Sequence, residues 1–148
     1  MNPDVLFQLV NAVALIAWLL LIIFTNLKIT RMLVGSGVVL LFLAGLYAVL
    51  VLTFFDPDIM QDFSSLQGVM HLFTDPMGVV AGWTHYLAFD LFVGMWITND
   101  AQKVGVNRWA LLPCQFLTFM FGPIGFLLYY LVRFFTTKSV PGNLMGNG

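Results

Sequence analysis

The chain has 148 residues, 60% of them hydrophobic and only 9% charged, against about 25% charged in an ordinary globular domain, which excludes a soluble enzyme domain. The seven acids are all Asp, the six bases are Lys28, Arg31, Lys103, Arg108, Arg133 and Lys138, and a net charge of -1 offers no basic stripe, so no nucleic-acid partner is expected. A single cysteine, Cys114, excludes an internal disulfide and a thiolate metal cluster. The length fits one small membrane domain, 1–135, because a spanning helix consumes about 20 residues.

In chain order, Val5 to Thr25 is free of charge and long enough to cross about 30 Å of hydrocarbon, so it reads as span one. The preceding Met1-Asn2-Pro3-Asp4 has no basic residue, unlike a signal peptide, and the segment is expected to be retained. Span two covers about Leu33 to Phe55, with Gly37, Leu41, Ala44, Gly45 and Ala48 forming a seam that lets a neighbouring helix approach. Asp56 to Pro76 holds four of the seven Asp, with Phe63, Leu66, Val69, Met70 and Phe73 at helix-like intervals. It reads as a short amphipathic helix lying at the membrane interface. Span three, about Met77 to Thr98, contains His85 and Asp90, and span four runs from near Trp109 to near Phe135. Gly122-Pro123 in its middle removes a backbone donor and frees the Phe119 carbonyl, so the helix should kink or break there. The Gly- and Asn-rich tail, 136–148, has nothing to bury and is expected to be mobile. The expected fold is therefore an all-α integral membrane protein of four transmembrane helices, with a short amphipathic helix between spans two and three.

Charge sets the orientation. Lys28 and Arg31 lie in one loop, Lys103 and Arg108 in another, and the segment between spans two and three has neither Lys nor Arg. The positive-inside rule makes the two basic loops cytoplasmic and puts both termini outside, with Arg133 and Lys138 counting against it. With no transit peptide visible, a bacterial inner membrane is favoured, or a plastid membrane if the source is a photosynthetic eukaryote.

An ionisable side chain at mid-span costs on the order of 3 kcal/mol, and by default it marks a functional site. At about 1.5 Å per residue Asp90 falls near the midplane, with His85 shallower and level with Asn11 and Pro123. Asp90 and His85 are about 140° apart around the helix, so they could border one groove only if neighbours flank span three. Tyr86 lies one turn before Asp90 and Gly94 one turn after, while Gln115, Thr118 and Gly122 form a polar and small stripe on span four. Asn11, Tyr86, Gln115, Thr118, Gly122 and Pro123 are thus the expected lining of a cavity around Asp90 and His85. A carboxyl group isolated in hydrocarbon favours its neutral form and can donate a hydrogen bond or a proton.

Blander readings stand beside these. Asp90 could simply tie helices together through Tyr86 or Thr118, and His85 could satisfy itself on Asn11. Asp100 reads as a solvated helix-end carboxylate, His71 as exposed, Trp83, Trp96 and Trp109 as interfacial anchors, and Phe116, Phe119 and Phe126 as packing. The two histidines match no standard metal spacing, so no metal is expected.

The stretch Trp83-Thr84-His85-Tyr86-Leu87-Ala88-Phe89-Asp90-Leu91-Phe92-Val93-Gly94, then Trp96, Asp100, Pro113-Cys114 and Phe121-Gly122-Pro123-Ile124-Gly125, resembles the abscisic-acid-deficient-4-like family over residues 83–133. Met95 departs from the basic residue expected after Val93-Gly94. Plant members are associated with neoxanthin synthesis, and the resemblance implies a carotenoid or related isoprenoid lipid as partner. Conversion of a carotenoid epoxide to an allenic alcohol is a redox-neutral isomerisation that needs one acid, one base, an apolar cavity and no cofactor. On that reading Asp90 is the acid and His85 the base, with the reverse assignment the alternative. The alternative is a non-catalytic lipid-binding or scaffold protein in which Asp90 is a structural contact, and a homo-oligomer stays open in either case.

Overall fold

The computed structural model describes residues 2–54 and 59–138, and among them it is all-helical. Helix α1 spans Pro3–Ile23, opened by Asn2, whose side chain accepts from the Asp4 amide at 2.9 Å, and by Pro3 in the first turn. A short α2, Lys28–Thr30, passes through a π turn, Arg31–Gly35, and a kink at Gly37 into α3, Val38–Phe54. The interfacial segment is two short helices, α4 (Ile59–Asp62) and α5 (Leu66–Leu72), the latter capped by Ser65. Helix α6, Pro76–Val104, starts on the cap Asp75-Pro76 and ends at Gly105, which takes the left-handed conformation. Helices α7 (Arg108–Phe121) and α8 (Pro123–Thr137) follow.

Side-chain contacts fix the directions. Phe7 packs on Trp83 with ring centroids 5.7 Å apart and Trp18 lies against Gly94, so α1 and α6 run the same way. Helix α3 runs oppositely along α6, bringing Tyr47 to His85 and Leu50 to Met77 and Val80. The largest core joins α1, α3 and α6 through Val10, Ala14, Trp18, Leu43, Leu87 and Leu91. A second core joins α6, α7 and α8 through Ile97, Ala101, Leu111, Cys114 and Tyr129.

The region read as span four is not one broken span but a helical hairpin. Helix α7 runs against α6, with Gln115 bonded to Thr98 and Tyr86 to Met120, and α8 returns along α6, with Phe126 on Trp96 and Tyr129 on Asp100. Gly122, at φ 46°, makes the reversal, and Gly125 lies directly on the Thr118 amide and the Cys114 carbonyl, where any Cβ would overlap backbone. At 14 and 15 residues each arm is about 21–23 Å long, too short to cross about 30 Å of hydrocarbon.

Two stretches, Pro3–Ile23 and Lys28–Phe54, are long and apolar enough to cross a membrane. Outward-facing apolar side chains such as Leu41 (70% exposed) and Leu52 (84%) accompany them, the reverse of a water-facing surface. The hairpin also corrects the expectation that both ends of the domain lie together. Helix α8 finishes beside the C-terminal end of α6, opposite the start of α1. All six basic residues consequently gather at one end, where Arg108 donates to the Ile22 and Ile23 carbonyls and closes α1. Helix α8 includes Thr136 and Thr137, which the sequence placed in the tail; 139–148 and 55–58, with Phe55 among them, lie outside the described residues.

Candidate functional site

Asp90 occupies the middle of α6 and is 8% exposed. Its carboxyl presses on the tip of the hairpin, and a Cβ on Gly122 would stand 2.5 Å from Oδ1. Only glycine permits both this approach and the positive φ of the turn. Tyr86, one turn earlier, brings its hydroxyl beside the same carboxyl and donates to the Met120 carbonyl at 3.3 Å, a carbonyl freed where the α7 ladder stops. Asp90 Oδ2 is buried and has no hydrogen-bond partner. A buried polar atom of this kind is rare and calls for an explanation. The hairpin tip thus places a carboxyl, a phenol and interrupted backbone in one apolar setting, where a proton can be donated and received.

Asp90, Tyr86, Gly122 and Pro123 are therefore brought together as the sequence suggested. His85 is not. Its ring stacks on Phe89 at 4.6 Å, meets Tyr47 edge-on at 5.3 Å, and lines a separate cavity of about 940 Å³ among α3, α5 and the start of α6. The angular offset explains the correction: α3 covers one side of α6 and the hairpin another, so no single groove holds His85 and Asp90. Asn11 also stands apart, accepting from the Trp83 indole at 3.0 Å and donating to the Phe7 carbonyl at 2.7 Å rather than meeting His85. Gln115 donates to the Thr98 hydroxyl at 2.8 Å and Thr118 to the Cys114 carbonyl, also at 2.8 Å. Both are buried below the tip; the Gln115 bond ties α7 to α6, whereas the Thr118 bond stays within α7. Helix α6 continues past Thr98 to Val104 before the short turn 105–107, so α7 starts further from Asp90 and reaches it only at its end.

Two features escaped the sequence. Asp100 is not simply solvated, because its Oδ2 accepts from the Tyr129 hydroxyl at 2.5 Å and from Arg133 Nε at 2.7 Å. The four-residue spacing of Tyr129 and Arg133, which puts both on one helix face, was the available signal. Trp18 carried no local signal; only the tertiary packing shows it seated on Gly94 and Phe119, with its Nε1 buried and unpartnered. Among the described residues no three His, Cys or Asp side chains converge to hold a metal ion.

The family model described as ABA DEFICIENT 4-like matches residues 5–129. The chain belongs to this family. The match takes in α1 and α3 as well as the motif-rich stretch around Asp90, so family membership rests on most of the chain. Comparison with curated proteins and with solved structures found no match.

Proposed function

We propose that this protein is an integral-membrane isomerase for an oxygenated carotenoid or a related isoprenoid lipid, with Asp90 as its acid. In this reading α1, α2–α3 and α6 cross the membrane, and α7–α8 enters from the basic, cytoplasmic end and turns back at mid-depth. Broken backbone at that depth is tolerated only where it lies against protein or a cavity, and the tips of interrupted helices are recurrent substrate sites in membranes. The observation that carries the reading is the buried Asp90 carboxyl, one oxygen unpartnered, held against the Gly122-Pro123 break. Family membership supports the substrate class through the plant members associated with neoxanthin synthesis.

The chemistry balances without an external redox partner. The Asp90 carboxyl gives its proton to the epoxide oxygen, the carbon–oxygen bond breaks with its electron pair going to oxygen, and a cationic centre forms beside the polyene. The carboxylate then takes a proton from the adjacent polyene carbon, whose bonding pair completes the allene. His85 is too differently placed to serve as the base, and Tyr86, beside the carboxyl, can relay either proton.

The second reading is a non-catalytic lipid-binding protein in which Asp90 ties α6 to the hairpin tip, favoured by its contact with Tyr86. Asp90→Asn in proteoliposomes supplied with an epoxy-carotenoid separates the two. The isomerase reading expects product formation to fall by about 10²–10⁴-fold with unchanged melting. A fully active Asp90→Asn protein, together with an Asp90→Leu protein that melts early, would establish the structural reading instead.

A further inference from the structure

A cleft of about 550 Å³ opens at the basic end, between the close of α1, the π turn Arg31–Gly35 and the C-terminal half of α6. It has the size of a ligand site, and π turns concentrate at functional positions. On α6 its wall is the stripe Phe92, Met95, Asn99 and Gln102, at spacings of three and four residues and about 15 Å long. On the other side it passes from Leu21 of α1 to Thr25 and Asn26. Because α1 and α6 run the same way, both walls turn from apolar to polar in one direction, toward the basic end. Arg31 stands at the polar end, where its Nη2 donates to the Asn26 carbonyl at 3.5 Å, the outer limit of a hydrogen bond. Among the described residues Arg31 has no carboxylate partner, no Asp lines the cleft, and the side-chain amides of Asn26, Asn99 and Gln102 are unpaired. Asp100, the acid next in sequence to Asn99, is turned to Tyr129 and Arg133.

We propose that this cleft holds one anionic glycerophospholipid, with its phosphodiester on Arg31 and the Asn99 and Gln102 amides, and one acyl chain along Met95, Phe92 and Leu21. A guanidinium matches phosphate oxygens with paired, charge-assisted hydrogen bonds, and the amides donate to the oxygens that remain. The order of the walls is the order of a lipid in its leaflet, with the head at the interface and the chain toward mid-depth. Free phosphate would occupy the polar end and leave the apolar wall uncovered. A zwitterionic head would bring its ammonium beside Arg31, with no carboxylate in the lining to receive it. Basic pockets between spanning helices at the cytoplasmic side are suited to anionic heads for these reasons. The inference rests on α1 and α6 crossing the membrane, as proposed above, and not on the acid role of Asp90.

The test is native mass spectrometry of the detergent-purified protein titrated with dioleoylphosphatidylglycerol or dioleoylphosphatidylcholine, which share their chains and differ in the head. The first phosphatidylglycerol is expected to bind at least about tenfold more tightly than phosphatidylcholine, and excess inorganic phosphate to leave it in place. Arg31→Gln should lose most of that preference. Asn99→Asp should lose it too, because it sets a carboxylate at the polar end of the cleft without changing its size, and it decides alone if Arg31→Gln folds poorly. Lys28→Gln removes a charge from the same end but outside the cleft, and should keep the preference. Equal losses in Lys28→Gln and Arg31→Gln would reduce the effect to general surface charge and overturn the proposal. A parent without the preference, or an Asn99→Asp protein that retains it, would overturn it as well, and displacement by inorganic phosphate would leave an anion site with no lipid in it. Each of these failures leaves Asp90 untouched, since its role is read from product formation.

Discussion

Helix α6 carries two acids about 15 Å apart along its axis, and their surroundings differ in kind. Asp100, near the basic end, accepts from a buried tyrosine and from the guanidinium of Arg133 through the same oxygen, within an aromatic cluster in which Trp96 stacks on Tyr130. Asp90, near the middle, has a phenol beside it, a glycine against it and one oxygen without a partner. Both acids are met by the hairpin, yet at Asp100 the carboxylate is paired and only Arg133 Nη1 is left without a partner, whereas at Asp90 the unpartnered atom is on the acid itself. A carboxylate kept for architecture has its partners built in; one kept for chemistry has to leave a position for a substrate.

The comparison depends on α8 returning to the end it left, and the sharpest way to break it is an all-or-none topology test. Cysteines placed at Ile29 and Lys138 should label from one side of the membrane and one placed at Ser64 from the other. Labelling of position 138 together with position 64 would mean that the hairpin crosses the bilayer, and Arg133 could not then reach Asp100.

Arg133→Met removes the cation and leaves a half-buried Asp100 with Tyr129 alone. Breaking a partly buried pair from one side is expected to cost about 2 kcal/mol, less than for a fully buried pair, read as a fall in melting temperature in detergent. The double variant Asp100→Asn/Arg133→Met should recover most of that loss, since no uncompensated charge remains. Asp90→Asn leaves no such debt behind. If Arg133→Met proves no more destabilising than Asp90→Asn, the distinction between a satisfied acid and a free one disappears.

Much of this was legible in the chain itself. The apolar runs, the break at Gly122-Pro123 and the anomaly of Asp90 were all visible in residue order. The reversal at the break was not, because an apolar stretch from Trp109 to Phe135 has the length of a span, and Gly-Pro signals an interruption without saying how far the chain turns. What decides it is Gly125 seated on Thr118 and Cys114, a contact made only after folding. One clue was present: Arg133 and Lys138 violate the positive-inside pattern in a four-span layout and obey it once α8 returns. The separation of His85 from Asp90 also followed from helical angle alone, and only a supposed flanking groove concealed it.

The last prediction sharpens the contrast at Asp90 itself. Gly122→Ala forces a side chain into a φ of 46° and puts its Cβ 2.5 Å from Asp90 Oδ1 and 3.1 Å from Cγ. A cost of about 2 kcal/mol is expected, part from backbone strain and part from displacing the carboxyl. Gly105→Ala separates the two parts, because Gly105 also has a positive φ, 75°, but has open space where its Cβ would go. That variant should lose about 1 kcal/mol and keep its activity. The remainder at Gly122 belongs to the Asp90 contact, so shortening the acid should restore it. In a double-mutant cycle, Asp90→Ala should relieve part of the Gly122→Ala penalty, with a coupling of about 1 kcal/mol. Zero coupling would mean that the carboxyl does not rest on the hairpin tip, and Asp90 would lose the placement that distinguishes it from Asp100.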